Sequence, residues 1–78
     1  MKFRVTTVEA TFTPDGWPVP RSVTWEGARL PIVDTGRRWR AADGVHILAL
    51  VADGRVFELH TNGSLWRAVV VSTPPHFA

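Results

Sequence analysis

Residues 45–72 read VHILALVADGRVFELHTNGSLWRAVVVS, and this stretch decides the fold. Its three apolar runs are joined by Asp53-Gly54 and Asn62-Gly63, dipeptides that favour tight β-hairpin turns. A two-residue turn at each position predicts a three-stranded antiparallel meander. In the predicted register Leu48 lies opposite Leu59.

Side chains alternate along a strand, so this register assigns every residue of the meander to one face. The predicted core face consists of Leu48, Leu50, Phe57, Leu59, Trp66, Ala68 and Val70. The opposite face carries a predicted cross-strand ion pair between Glu58 and Arg67. Its apolar residues predict a contact surface for a protein partner or a second copy of the chain: Ile47, Val51, Val56, Leu65, Val69 and Val71. The alternative is that Phe3 and Val5 cover this face within the same chain.

The chain before the meander also reads as strands. Residues 2–13 are rich in threonine, valine and phenylalanine, and their apolar positions change side near Thr6-Thr7, which predicts a bend there. Glu26-Gly27 predicts a second hairpin that pairs Trp25 with Ala28. Two prolines in residues 17–20 predict a connection or an edge, and residues 36–44 predict a loop with at most a short strand around Trp39.

These elements predict one all-β domain over residues 1–78. Its 78 residues are too few for an immunoglobulin-type sandwich, and no stretch has helical periodicity. We expect a strongly bent antiparallel meander or a small, partly open barrel of five to six strands. Two prolines interrupt residues 72–78, for which a flexible tail is predicted.

Composition limits the possible functions. There is no cysteine, so disulfides and thiolate metal ligands are excluded. The net charge is only +2, although eight of the nine basic residues are arginine. No apolar run is long enough to span a membrane, and no secretory signal is recognisable, so we expect a cytoplasmic protein.

Few residues are candidates for catalysis. Asp15, Asp43 and Asp53 each precede a glycine and are explained as turn residues. Glu58 and His60 lie two apart on one strand and could form part of a metal site, but no third histidine or cysteine is placed to complete it. His46 is expected to be a packed, hydrogen-bonded residue, and His76 lies in the tail. We therefore expect no enzyme activity, no metal and no cofactor, unless Glu58, His60 and Glu9 converge on one pocket.

Arginine and tryptophan concentrate in one segment. It comprises Arg37, Arg38, Trp39 and Arg40, and Arg21 and Arg29 could extend its basic surface. Arginine contacts phosphates and stacks on bases, and tryptophan stacks on bases as well, so this cluster predicts a site for single-stranded nucleic acid. The alternative is that Trp39 fills the core while the arginines are solvated.

Several segments carry a family resemblance that extends over residues 15–70. They are Asp15-Gly16-Trp17-Pro18-Val19, Val23-Thr24-Trp25-Glu26-Gly27-Ala28-Arg29, Arg38-Trp39-Arg40, Asp53-Gly54-Arg55-Val56-Phe57-Glu58-Leu59 and Trp66-Arg67-Ala68-Val69-Val70. This pattern resembles a family of small bacterial β domains of unknown function. It is also similar to the C-terminal domain of the catalytically inactive Y-family DNA polymerase-like subunit of the bacterial mutasome. The resemblance implies an accessory role in DNA repair or damage-tolerant synthesis, without catalytic residues.

The sequence therefore predicts a non-enzymatic binding module. Its first predicted partner is single-stranded nucleic acid or a DNA-repair protein. The alternative function is a protein-interaction or homodimerisation module that uses the second face of the meander.

Overall fold

The computed structural model describes residues 2–73, which form seven antiparallel strands in one curled, half-barrel sheet. The strands are β1 (Arg4–Thr6), β2 (Val8–Phe12), β3 (Pro18–Trp25), β4 (Ala28–Ala41), β5 (Gly44–Val51), β6 (Val56–Thr61) and β7 (Trp66–Ser72). Their order in the sheet is β1-β7-β6-β5-β4-β3-β2. The predicted all-β class and the bent, partly open sheet are confirmed, with more strands than expected.

The N-terminal segment joins the two ends of the sheet. β1 pairs with β7 and β2 pairs with β3, so the chain crosses from one edge to the other at Thr7. The backbone amide of Thr24 donates to the carbonyl of Thr7 at 2.9 Å, and the Thr6 hydroxyl donates to the carbonyl of Thr24. The bend predicted near Thr6-Thr7 is therefore confirmed.

The predicted register of the first meander hairpin is wrong by one residue. The loop contains three residues, 52–54, and not the two that were predicted, because the amide of Val51 donates to the carbonyl of Arg55 at 3.0 Å. Within this loop only Gly54 adopts a positive φ, of 93°. This is the geometry of a three-residue hairpin loop that ends in a glycine bulge. The amide of Arg55 also donates to the Asp53 carboxylate at 3.0 Å. This loop places Leu59 opposite Ile47 instead of Leu48.

The shift by one residue exchanges the two faces of β5. Ile47, Ala49 and Val51 are buried, whereas Leu48 and Leu50 are only partly buried. The core assignment of Leu48 and Leu50 was therefore wrong. Since a strand has a side-chain period of two, one extra loop residue is enough to reverse every orientation.

The second hairpin of the meander keeps its predicted faces with a different register. Thr61 pairs with Trp66, so the loop contains residues 62–65. The Asn62 carboxamide accepts from the amides of Ser64 at 2.9 Å and Leu65 at 3.0 Å, which stabilises the longer turn. The register differs from the prediction by two residues, and a shift of two leaves every side chain on its face. The predicted pair between Glu58 and Arg67 is wrong, because Glu58 lies opposite Val69.

The hairpin around Glu26-Gly27 forms as predicted. Trp25 pairs with Ala28, and both turn residues have positive φ, 49° and 83°. Residues 18–20 form the start of β3 and pair with β2 on one side only, which agrees with the predicted edge and not with the alternative, a connection. The loop predicted over residues 36–44 is wrong, because β4 continues to Ala41 and β5 begins at Gly44.

The long β4 changes partner along its length. Residues 28–31 pair with β3 and residues 32–41 pair with β5, with irregularities between Ile32 and Asp34 and between Thr35 and Arg38. The extra residues at these irregularities bend β4, so that one strand can pair with β3 at its start and with β5 further along. They also carry residues 37–40 to the end of the β4–β5 hairpin.

The core lies inside the curl of the sheet. Phe57 and Leu59 have no exposed surface, and Trp25 packs edge-on against Phe57 with ring centroids 5.1 Å apart. The buried cluster consists of Val23, Trp25, Ile47, Ala49, Val51, Phe57, Leu59 and Ala68, with Val8, Leu30, Ile32, Trp66 and Val70 packed against it.

Within residues 2–73 there is no helix long and apolar enough to cross a membrane. Residues 74–78, most of the predicted tail, lie outside the described residues, and Ser72 is the end of β7.

Glu9 connects β2 to both β3 and β4. Its carboxylate accepts from the buried Ser22 hydroxyl and from Arg29 Nε, each at 2.6 Å. The Ser22 hydrogen bond, followed by that of Arg29, lowers the pKa of Glu9 from 4.5. A carboxyl group with a lower pKa in the folded state contributes stability above its unfolded pKa, and this contribution is lost as the pH falls through the folded value.

We therefore expect Glu9→Gln to lower the urea midpoint modestly at neutral pH. The difference from wild type should shrink as the pH falls below 4.5 and through the lower pKa of Glu9 in the folded protein, where the wild-type carboxylate becomes protonated as well. Urea unfolding followed by tryptophan fluorescence at several pH values measures this. Arg29→Gln should weaken the protein in the same pH range, and a difference that is independent of pH would contradict the assignment.

Candidate functional site

Four polar side chains from three places in the chain meet at one end of the β5–β6 hairpin. His46 of β5 and His60 of β6 are paired residues, so their rings lie side by side with centroids 4.7 Å apart. His46 Nδ1 is 2.8 Å from the Glu58 carboxylate, and His46 Nε2 is 2.9 Å from the Asp43 carboxylate. His60 Nε2 donates to the backbone carbonyl of Asp43 at 2.8 Å. We call Asp43, His46, Glu58 and His60 the histidine cluster.

The β4–β5 turn brings Asp43 to the two histidines. Ala41 pairs with Gly44, so Ala42 and Asp43 form a two-residue turn directly before β5. The turn role predicted for Asp43 is correct, and its carboxylate in addition contacts both imidazoles, at 2.9 Å for His46 and 3.7 Å for His60.

Aromatic rings enclose the histidine cluster. Trp39 stacks on His46 with centroids 5.1 Å apart and planes 5° from parallel. Phe3 presents its ring to both histidines, at 6.3 Å from His46 and 6.2 Å from His60. The residues His46 and His60 are 9% and 5% exposed, whereas the Asp43 side chain is 62% exposed. The cluster is thus buried on the histidine side and open to solvent on the Asp43 side.

The two carboxylates control the protonation of His46. Burial alone lowers the pKa of His46, but the hydrogen bonds to Asp43 and Glu58 outweigh burial and raise the pKa above 6.5. The hydrogen bond from His46 is the main cause that lowers the pKa of Asp43 below 3.8. A protonated His46 can donate to both carboxylates at once, whereas a neutral ring can donate to only one.

The donor atoms of the cluster are close enough to share one cation. One ligand atom each from Asp43, His46 and His60 lies within 4.8 Å of the others. Of the residues in the cluster, only Glu58 and His60 were considered from the sequence as a possible metal pair. In the structure His60 is buried, and Glu58 contacts His46 instead. The other acid considered, Glu9, is bound to Ser22 and Arg29 and does not join the cluster.

A second arrangement forms where the loop before β3 meets the end of β4. The guanidinium carbons of Arg38 and Arg40 lie 4.3 and 4.0 Å from the ring centroid of Trp17. Arg40 also donates to the carbonyl of Asp15 at 3.3 Å. We call Trp17, Arg38 and Arg40 the arginine–tryptophan surface; Arg37 packs on Trp39 instead.

Trp39 does not fill the core, which was one of the two roles considered for it, and its stacking on bases stays a prediction. Its ring is half-buried between His46 and Arg37, whose guanidinium carbon is 5.1 Å from the ring centroid. It therefore covers the histidine cluster instead of filling the core. The tryptophan that packs against Arg38 and Arg40 is Trp17, which the sequence analysis did not select.

The other two residues that were predicted to contact nucleic acid, Arg21 and Arg29, have different surroundings. Arg29 forms the ion pair with Glu9, and Arg21 is exposed on β3. Within residues 2–73 neither one has a hydrogen bond or an ion pair to the arginine–tryptophan surface.

The residues predicted as a protein interface do not form one exposed surface. Ile47 and Val51 belong to the core, with 3% and 2% of their surface exposed, and Val69 is also buried. Leu65 and Val71 are 44% and 36% exposed. Val56 is half-buried and lines an apolar cavity of about 230 Å³ together with Leu48, Leu50 and the Thr35-Gly36 part of β4.

Comparisons with known proteins find no match to this chain, whether with protein-family models, with curated proteins or with solved structures. The resemblance to the C-terminal domain of the mutasome subunit therefore stays a prediction.

Sequence reasoning missed the histidine cluster because it depends on register. With a three-residue loop at residues 52–54, His46 falls opposite His60, and the two imidazoles become neighbours. The signal was present in the Ala52-Asp53-Gly54 sequence, since a three-residue hairpin loop commonly ends in glycine.

Proposed function

We propose that this protein binds single-stranded nucleic acid through the arginine–tryptophan surface. The observation that carries the proposal is the packing of two exposed guanidinium groups, those of Arg38 and Arg40, against the ring of Trp17. A guanidinium group that packs against an aromatic ring can still present N–H donors at its edge to phosphate oxygens, and Arg40 has donors besides the one that it gives to the carbonyl of Asp15. Its planar group can also stack on a base.

The charge around this surface supports the proposal. Arg38 and Arg40 are both exposed and lie two residues apart on β4, so their side chains are on the same side of the strand. Asp15 is the nearby acid, and its carboxylate is engaged by the hydroxyl of Thr13, which lowers the pKa of Asp15. Two arginines against one acid leave a net positive charge at this surface, which attracts a phosphate backbone.

The family resemblance suggests which nucleic acid to use as a probe. It implies an accessory role in DNA repair or damage-tolerant synthesis, so single-stranded DNA is the appropriate ligand. The alternative, a protein-interaction or dimerisation module, has weaker support because Ile47 and Val51 of its predicted surface lie in the core.

We expect the Arg38→Gln/Arg40→Gln double variant to lose about tenfold or more in affinity for a labelled oligo-dT strand at low salt. Each phosphate contact contributes roughly 0.7 to the slope of log affinity against log salt for single strands. The double variant should therefore lower the magnitude of the slope by about 1.4. Fluorescence anisotropy at several salt concentrations measures both quantities.

A matched control uses Arg55, which is paired with Asp53 at 2.8 Å in the 52–54 loop. Arg55→Gln removes a charge and should leave affinity close to wild type. Replacing Arg38 and Arg40 by lysine keeps the charge and removes the planar groups, so it separates phosphate attraction from base stacking. No binding at low salt, or an equal loss in the Arg55 variant, would overturn the proposal.

A further inference from the structure

We propose that the histidine cluster is a binding site for Zn²⁺, with Asp43, His46 and His60 as ligands. This inference is independent of nucleic-acid binding, since it rests on a different set of side chains. Two imidazole nitrogens and one carboxylate oxygen form one of the ligand sets that zinc uses in proteins. They come here from the β4–β5 turn and from two paired strands, β5 and β6.

The distances suit a small cation. The three donor atoms lie within 4.8 Å of one another, and the carboxylate oxygens of Asp43 are 2.9 Å from His46 Nε2 and 3.7 Å from His60 Nε2. Zinc binds nitrogen and oxygen at about 2.0–2.2 Å, so tetrahedral ligands are roughly 3.4 Å apart. Only small side-chain movements are needed, and Asp43 lies in a turn, where its exposed side chain can adjust.

Glu58 supplies the outer partner that metal-bound histidines usually have. It accepts from His46 Nδ1 at 2.8 Å, which fixes the ring and leaves Nε2 directed at Asp43. A carboxylate that accepts the second N–H of a ligating histidine orients the ring and makes it a stronger ligand. Glu58 is thus a positioning residue in this site.

Charge balance also favours a divalent cation. The cluster contains two carboxylates, Asp43 and Glu58, beside two neighbouring imidazoles. Zinc would take the place of the Nε2 proton that His46 shares with Asp43, and His60 would carry its single proton on Nδ1 so that its Nε2 can bind the ion. Each ring then keeps one N–H and no charge, and the two positive charges of zinc balance the two carboxylates. Trp39 and Phe3 shield the histidine side, while the exposed Asp43 side leaves access for a fourth ligand such as water.

The test is a Zn²⁺ titration of the full chain in competition with a chromophoric chelator. We expect one equivalent to bind, with a loss of about a hundredfold or more in affinity for His60→Gln and for Asp43→Asn. Asp43→Asn retains the shape of the turn residue, so it keeps the test valid if the histidine variant does not fold. Glu58→Gln should lose about tenfold to a hundredfold, as expected for an outer partner.

Two further measurements identify the ligands. Co²⁺ in place of zinc should give the visible absorption bands of a four- or five-coordinate ion in wild type and Glu58→Gln, and not in Asp43→Asn. Zinc should shift the NMR signals of Nε2 in both His46 and His60. His76→Gln serves as the control for incidental histidine binding and should keep wild-type affinity. Equal affinity in wild type, Asp43→Asn and His60→Gln, or an equal loss in His76→Gln, would overturn the proposal.

Discussion

Gly44→Ala should unfold the protein or bring it close to unfolding. A Cβ at this position would overlap the carbonyl oxygen of Thr61 and would lie 3.0 Å from its carbonyl carbon and 3.1 Å from the Cα of Asn62. These are backbone atoms of the neighbouring strand end, so no side chain can turn away to make room. Gly44 also has a φ of +131°, which L-residues rarely adopt.

The expected loss of stability from this substitution is about 3 kcal/mol or more, because steric overlap and backbone strain act together. A domain of this length has a total stability of roughly 4–12 kcal/mol, so a large fraction disappears. Thermal and urea unfolding followed by circular dichroism measure the change.

Two other glycines separate the steric effect from the conformational one. Gly27 and Gly63 have φ values of 83° and 98°, but a Cβ at either position meets nothing within 4 Å. Their replacement by alanine should cost about 1–2 kcal/mol, the strain of a left-handed residue alone. If Gly44→Ala is no worse than these controls, the close approach between the β4–β5 turn and the end of β6 is not present.

The fold class could be predicted because turn residues and apolar runs agree along the whole chain. The Glu26-Gly27 hairpin was predicted in the correct register, since both of its turn residues adopt the positive φ that a two-residue turn needs. The bend at Thr6-Thr7 followed from a change in which side the apolar residues occupy. In each case a local pattern determined the geometry.

The face of β5 could not be predicted from its pattern. Residues 47–51 are apolar without interruption, so alternation gives no information about which side is buried. Register then depended on the loop at residues 52–54 alone. Asp53-Gly54 is compatible with a two-residue turn and also with the last two positions of a three-residue loop, and the structure has the second form.

The candidate sites depend on contacts between distant parts of the chain. Trp17 meets Arg38 and Arg40 only because β4 continues as a strand to Ala41 and passes the loop before β3. The histidine cluster forms only in the observed register of β5 and β6. The residue types indicated that arginine and histidine side chains could form sites. Which side chains contact each other is determined by the topology and the strand register, which the residue types do not give.

The second large effect is expected for Phe57→Ala. Phe57 has no exposed surface and packs edge-on against Trp25, at 5.1 Å between ring centroids, in the centre of the curled sheet. Truncation of a buried phenylalanine costs about 3–5 kcal/mol, from the lost burial of the ring and from the cavity that remains. A chain this small has few other core residues that could collapse into that space.

Phe12→Ala is the matched control, because the same side chain is removed from a position that is 58% exposed. Its effect should stay within about 1 kcal/mol, as for most surface substitutions. Urea midpoints of both variants, followed by tryptophan fluorescence and by far-UV circular dichroism, measure the difference. Equal losses would mean that the core is not centred on Phe57, and the faces assigned to β5 and β6 would then be wrong. The histidine cluster would be affected as well, since Glu58 and His60 point away from the core only if Phe57 and Leu59 point into it.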